Sequence, residues 1–240
     1  MRKTICVALV CLAATALFAG VSGATLEYSG EYSDTAGGGS ASWTESMTFP
    51  KFDPGLGSFV GIKFTLIGDV SGSAQFENLS GNPATVVMNQ SATLKLSRPA
   101  PAGTVIVQSI PLASSSDAVD SYDQVTDYSG PGGSQTTGSG RTHADLSASH
   151  TEYFTSYDAA DLVLFTAAFS GENIDLPATS TAGSGGYSLD TGDLALLFGT
   201  NAGATAKVQY IYETVPEPSS ILALLTGFIG LVGVAVRRRK

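Results

Sequence analysis

Hydrophobic positions fall into three textures along this chain. From residue 5 to about residue 19 they are contiguous, between about 42 and 213 they mostly alternate with polar ones, and from 221 to 236 they are contiguous again. Contiguity over that length marks a membrane-directed helix, and alternation marks strands with one face in a core. Residues 26–32 allow a first short strand, closed by a flexible break at Gly37-Gly38-Gly39. Residues 42–49 then place Trp43, Met47 and Phe49 between polar neighbours, before Pro50 and Pro54 end the run. Residues 59–70 put Val60, Ile62, Phe64, Leu66 and Val70 on one face, and the next strand is expected to begin near Ser73. Val86, Met88, Leu94 and Leu96 repeat the pattern over 84–96, as do Val105 and Val107 over 104–110.

Between 112 and 149 apolar residues thin out among Ser114-Ser115-Ser116, Gly130-Pro131-Gly132-Gly133 and Gly138-Ser139-Gly140, so this stretch reads as a long surface loop inserted in the domain. Ordered segments return at 150–157, 162–169, 188–198 and 204–213, the last with Val208, Tyr210 and Tyr212 at period two. Runs of five to ten residues joined by small polar turns predict an all-β fold, an antiparallel β-sandwich-like domain over residues 25–214. About 190 residues between the two apolar ends suit one domain.

The flanks of the two apolar runs differ, and with them the expected fates. Arg2 and Lys3 precede the first run, and Ser22 and Ala24 offer the small side chains a signal peptidase needs, so residues 1–24 read as a signal peptide cut after Ala24. Cys6 and Cys11 leave with it, so the mature chain holds no thiol and no disulfide. At the other end, residues 219–236 read as one transmembrane helix, followed by Arg237, Arg238, Arg239 and Lys240, which resist translocation and stop the tail in the cytoplasm. The sixteen residues 221–236 span about 24 Å as helix, against a hydrocarbon core of roughly 30 Å, a deficit that Ser219, Ser220 and snorkelling arginines make up. Pro216 and Pro218 lack amide donors and have fixed φ, which keeps the approach to that helix extended and open to another protein.

Charge narrows the partners. Six of the twelve Lys and Arg and one of the 21 acids lie in the two end segments, which leaves six basic and twenty acidic residues, a net of about minus fourteen, on the body. Such a surface argues against nucleic acid and anionic lipid as partners. The body holds two histidines, His143 and His150, and no cysteine, which excludes a four-ligand N/S zinc site. His143, Asp145 and a serine make a triad on paper, but no Gly-x-Ser-x-Gly elbow presents a nucleophile, and no catalytic residue or cofactor is expected. Asp117, Asp120, Asp123 and Asp127 are calcium candidates, although their spacing is not that of an EF-hand. Asp190 and Asp193 flank an ordinary turn. Tyr122, Tyr128, Tyr153 and Tyr157 are candidates for stacking on sugar rings, with Tyr153 and Phe154 straddling a strand so that one ring enters the core.

Two resemblances add to this. Pro216-Glu217-Pro218, the apolar stretch 221–236 and the basic end 237–240 together resemble the PEP-CTERM sorting signal of Gram-negative bacteria. The resemblance covers residues 215–240 and implies Pro216, Glu217 and Pro218 as recognition residues. It also implies cleavage there by an exosortase, an integral membrane enzyme with a cysteine nucleophile, and delivery from the inner membrane to the cell surface or exopolysaccharide matrix. Residues 47–62, with 161–167, 173–177 and 208–212, resemble the choice-of-anchor E domain, which implies a β-rich extracellular module and supplies no catalytic residues. Together these features favour a non-enzymatic structural or adhesive surface protein in contact with exopolysaccharide. The alternatives are a secreted hydrolase of matrix polymer, needing two carboxylates about 5 to 9 Å apart in a groove, and a calcium- or carbohydrate-binding module.

Overall fold

A computed structural model describes residues 26–29, 31–188 and 193–214. The signal segment with Ala24, the motif Pro216-Glu217-Pro218, the apolar segment 219–236, the basic tail Arg237, Arg238, Arg239 and Lys240, and Asp190 lie outside the described residues. Among those described, no helix is long and apolar enough to cross a membrane.

The body is all-β. Its strands are β1 (Leu26–Tyr28), β2 (Tyr32–Ser40), β3 (Trp43–Pro50), β4 (Ser58–Asn78), β5 (Ala84–Ser97), β6 (Val105–Ser109), β7 (Leu112–Val119), β8 (Gly140–Ser156), β9 (Asn173–Ser188) and β10 (Leu194–Glu213), with one short helix, α1 (Ala159–Phe165), between β8 and β9. They form two antiparallel sheets. In the first, β10 lies between β4 on one edge and β1 and β2 on the other, with β8 beyond β4; in the second, β5 lies between β9 and the collinear β6 and β7, with β3 beyond β9.

The core is the meeting of the two inner faces. Every second residue of β5 from Ala84 to Leu96 is buried, and Met47, Phe49, Ile62, Phe64, Leu66, Leu176, Val208 and Tyr210 join them from neighbouring strands. Much of the rest is small: Ala202, Ala204 and Ala206 on β10 face a sheet whose β9 contributes Ala178 and Ser180. Small inward residues bring the sheets close, and each aromatic ring then fills a gap that they leave.

Several expectations are corrected. The stretch 112–149 is not one loop: β7 and the first part of β8 occupy its two ends, leaving 120–139 between them. The inward positions of β7 are Ala113, Ser115, Asp117 and Val119, alternating in burial without the large apolar residues that announce a strand. The loop itself is tied down from beneath. Buried Glu77 accepts from the Tyr128 amide (2.8 Å), Asn78 donates to the carbonyls of Asn82 and Asp120 (2.9 Å each), and buried Arg141 donates to those of Thr137, Gly138 and Gly140.

The glycine run 37–39 is strand rather than a break. Gly37, at φ 77°, leaves room for the Trp43 indole, whose Nε1 donates to the Ala202 carbonyl at 2.7 Å where β2 bulges by two residues, Gly38 and Gly39, against β10. The two strands expected around 59–70 and Ser73 are one, β4, which passes a bulge at Gly72. Val60 is not part of the inward row, because a second bulge skips it and sets Phe59 opposite Tyr212. In β6 the inward pair is Ile106 and Val107, with Val105 exposed.

Gly72 has φ 156°, and a Cβ there would stand 1.8 Å from the Gly199 carbonyl oxygen. Gly72→Ala is therefore expected to cost about 1–3 kcal/mol in backbone strain alone, with the clash added to it. Urea unfolding measures this: a midpoint equal to that of the parent would mean that β4 bends without needing the glycine.

Candidate functional site: the C-terminal exit and the polar clusters

β10 carries the chain to the edge of the domain, pairing Glu213 with Ser58 of β4 and with Leu26 of β1. Its last turns are held by a nest of rings. Phe52 stacks on Phe59 at 4.6 Å, Tyr210 meets Phe59 edge-on at 5.4 Å and Phe52 at 5.8 Å, and Tyr212 lies 5.5 Å from Phe52. The Tyr210 hydroxyl donates to the Pro50 carbonyl at 2.6 Å. Burial, helped by the neighbouring Tyr32, pushes that phenol above its usual range, so it remains a protonated donor. Order is therefore fixed to within three residues of Pro216.

The same pole carries a cluster that the sequence did not reveal. Arg98, past the end of β5, grips Asp161 of α1 through two bonds, Nε to Oδ1 at 2.6 Å and a second guanidinium nitrogen to Oδ2 at 2.7 Å. Ser156, the last residue of β8, donates to the same Oδ2 at 2.5 Å. Asp161 is almost wholly buried, and the guanidinium holds its carboxyl below the ordinary carboxylate range, with Ser156 adding to the effect against the cost of burial.

The helix exists because Asp158 accepts from the Ala160 amide (2.9 Å) as N-cap, and because Asp161 and Phe165, one turn apart, both face inward. Segment 162–169, expected among the ordered segments of an all-β fold, is not a strand: its first residues belong to the only helix longer than one turn among the described residues. Lys51 and Glu172 pair beside it at 2.5 Å, which lowers the Glu172 carboxyl.

The predicted chemistry is dispersed. Asp117 bonds His143 Nε2 at 2.8 Å, across from β7 to β8, so His143 pairs with Asp117 and not with Asp145. Asp120 accepts from the Gly138 amide (3.0 Å), Asp123 from Val125 (2.9 Å), and Asp127 from both the amide and hydroxyl of Ser129 (3.0 and 2.7 Å). Each calcium candidate is thus engaged separately, Asp123 and Asp127 in their own turns, Asp120 at the far end of the loop and Asp117 by His143 on β8, and among the described residues no group of three or more His, Asp or Glu is placed to hold a metal. Asp193 accepts the Leu79 amide through its carbonyl, which continues the β4–β10 pairing by one residue, and the turn it was expected to flank lies outside the described residues.

Ser109, His150 and Glu152 do stand in line, at 3.3 Å and 3.6 Å, a juxtaposition no sequence spacing signals. Yet Ser109 is fully buried and its hydroxyl donates to the His150 carbonyl at 2.7 Å, so it is shut off from any substrate. The four tyrosines separate into two places. Tyr122 and Tyr128 are half-buried in the 120–139 loop, while Tyr153 and Tyr157 stand exposed on the outer face of β8 and just beyond it. Neither Tyr153 nor Phe154 enters the core as expected: Tyr153 is 62 % exposed with Lys63 over its ring at 5.2 Å, and Phe154 lies half-covered at the open edge, stacked at 6.4 Å from Phe64.

The residues beyond Glu213 give this pole its meaning. Residues 214–240 match the PEP-CTERM protein-sorting motif. That match marks an exported, surface-directed protein with exosortase as its processing partner. The likeness of the body to the choice-of-anchor E domain rests on residues 47–62, 161–167, 173–177 and 208–212 alone. No curated protein matches the chain. Among solved structures it is aligned with infectious bursal disease virus, Gt strain, at 10 % identity over 81 % of this chain and 42 % of that one, TM-score 0.09. A VP2 subviral particle of the same virus gives 12 % identity, 82 % and 43 % coverage and TM-score 0.14. The chain spans about two fifths of the length of those viral chains, and nothing of their fold or function transfers to it.

Proposed function

We propose that this protein is a non-enzymatic structural or adhesive module, exported, held briefly in the inner membrane by residues 219–236, and released at Pro216-Glu217-Pro218 to the cell surface or exopolysaccharide matrix. The observation that carries it is the join between the described domain and the sorting motif: β10 is paired and ring-packed up to Glu213, and the motif begins three residues later. A processing enzyme needs an extended segment free of the fold, and this one starts where the sheet stops. An acidic body, loop carboxylates each engaged by a separate backbone amide and a serine closed off from solvent support a binding rather than a catalytic role. Exposed Tyr153 and Tyr157 suit contact with neutral sugar rings in such a matrix.

Intact mass of the native protein, measured by cell fraction, tests this. The expected extracellular product begins at about residue 25 and lacks the apolar tail, with a full-tailed form in the inner membrane as its precursor. A tailed form as the sole product in every fraction would reduce the protein to a membrane-anchored ectodomain.

A further inference from the structure

Four large apolar side chains at the exit pole are left in solvent. Val163 on α1 is 78 % exposed, Phe169 after it 67 %, Tyr157 after β8 67 %, and Leu56 in the turn before β4 49 %. Val163 also lines an open depression with Phe59, Leu162 and residues 166–168. These residues surround the point where Glu213 leaves the sheet opposite Ser58. Among the described residues the cations near them are engaged, Lys51 by Glu172, Arg98 by Asp161 and Lys63 over the Tyr153 ring, and form no cluster for a phosphate-rich or acidic partner.

Chain length says what lies against this surface. Five residues separate Glu213 from Ser219, the start of the apolar segment, and the six Cα steps between them reach roughly 22 Å when fully extended. A headgroup layer takes up roughly 5–8 Å of that. The apolar stretch 221–236 is about 24 Å long as helix against a core of roughly 30 Å, a mismatch that draws its flanks inward and shortens the tether further. A domain so held meets the interface at an effective concentration near millimolar, where even weak adsorption of a few apolar side chains is populated. Tyrosine, with an apolar ring and a polar tip, suits that layer.

We propose that, before processing, the exit pole rests on the bilayer interface, with Val163, Phe169, Tyr157 and Leu56 in the headgroup region. This rests on the reading of 219–236 as the membrane anchor. Because the body is acidic, the contact is apolar and suits zwitterionic lipid. Cleavage at the motif removes the tether, so the adsorption is lost at the moment of release.

The test uses the tailed precursor, with Cys6 and Cys11 changed to Ser, purified from inner membranes and reconstituted in phosphatidylcholine–phosphatidylethanolamine vesicles. An environment-sensitive fluorophore is placed on V163C, F169C or, at the opposite pole, G81C, where a side chain meets nothing within 4 Å. Flotation with the vesicles is measured first, then quenching by doxyl-labelled phosphatidylcholine. The proposal expects flotation of all three, with blue-shifted and several-fold stronger quenched emission at 163 and 169 than at 81. Flotation with equal quenching at all three overturns the docking and leaves the anchor standing; failure to float overturns the anchor and the proposal with it. Pole quenching that appears solely when an exosortase is co-reconstituted also overturns it, in favour of the enzyme as occupant.

Discussion

Replacing Pro216, Glu217 and Pro218 together by alanine is expected to abolish the extracellular form and leave the tailed precursor in the inner membrane. The expectation has two physical parts. Proline fixes φ and holds the preceding residue out of the helical region, so the wild-type approach to the apolar segment stays extended. Alanine is the strongest helix former, and three of them would let a helix seeded in 219–236 propagate back toward the last strand. The segment an enzyme must grip would then be wound into hydrogen bonds. Loss of the Glu217 carboxylate removes the charged group of the motif as well. Glu217→Gln alone, with both prolines kept, separates the two: retention in that variant assigns recognition to the carboxylate, and normal release assigns it to the extended backbone. Intact mass by fraction reads both, and a triple-alanine product identical to wild type would remove the motif from the sorting mechanism.

Asp161→Ala is expected to destabilise the domain by about 3–5 kcal/mol, the usual cost of stripping one partner from a buried pair. Arg98 would lose its two-point partner and keep only the charge of Asp158 and the Thr104 hydroxyl, and Ser156 would lose its acceptor. The pair itself need not be a net gain, because both charges were taken out of water to form it. Arg98→Met combined with Asp161→Leu is therefore expected to lie much nearer the parent than either single change. Since the folded carboxyl is held below its ordinary value, its contribution is complete above about pH 4 and disappears as the pH falls through the depressed folded value. Wild type and Asp161→Asn should thus differ at neutral pH and converge in acid. Parallel urea curves from neutral pH downward decide this, and a constant difference across the range would mean that the cost of the substitution is not electrostatic.

The strands that were legible in the sequence are those whose inward side chains are large. β3 and β5 announce themselves through Met47, Phe49, Val86, Met88, Leu94 and Leu96, whereas β7 and β9 turn Ala113, Ser115, Ala178 and Ser180 inward and look polar. Glycine misled in both directions, since runs that suggest breaks sit inside β2 and β4 as bulges that make room for Trp43 and Gly199. The sorting motif was readable because it is a contiguous pattern of residues, Pro216-Glu217-Pro218, an apolar run and a basic end, that needs no fold to bring its parts together. The clamp was not, because Arg98 and Asp161 stand 63 residues apart and meet only once β5, β8 and α1 share a pole. Nor did four aspartates close in sequence assemble: Asp123 and Asp127 found amides in their own turns, Asp120 one at the far end of the loop, and Asp117 the His143 imidazole on β8.

The place of β10 within its sheet sets a schedule for export. The last strand to cross the inner membrane has neighbours on both edges, with β1 and β2 on one side and β4 on the other. Until residue 213 has emerged, the earlier strands that await it can only expose open edges, the state most prone to wrong pairing. Closure of the sheet thus waits for nearly the whole chain, and the sorting motif follows within a few residues of it. A molecule stalled or truncated before that strand would reach the envelope as an aggregation hazard with no sorting signal attached, so the linear order of the chain makes possession of the address conditional on possession of the last structural part.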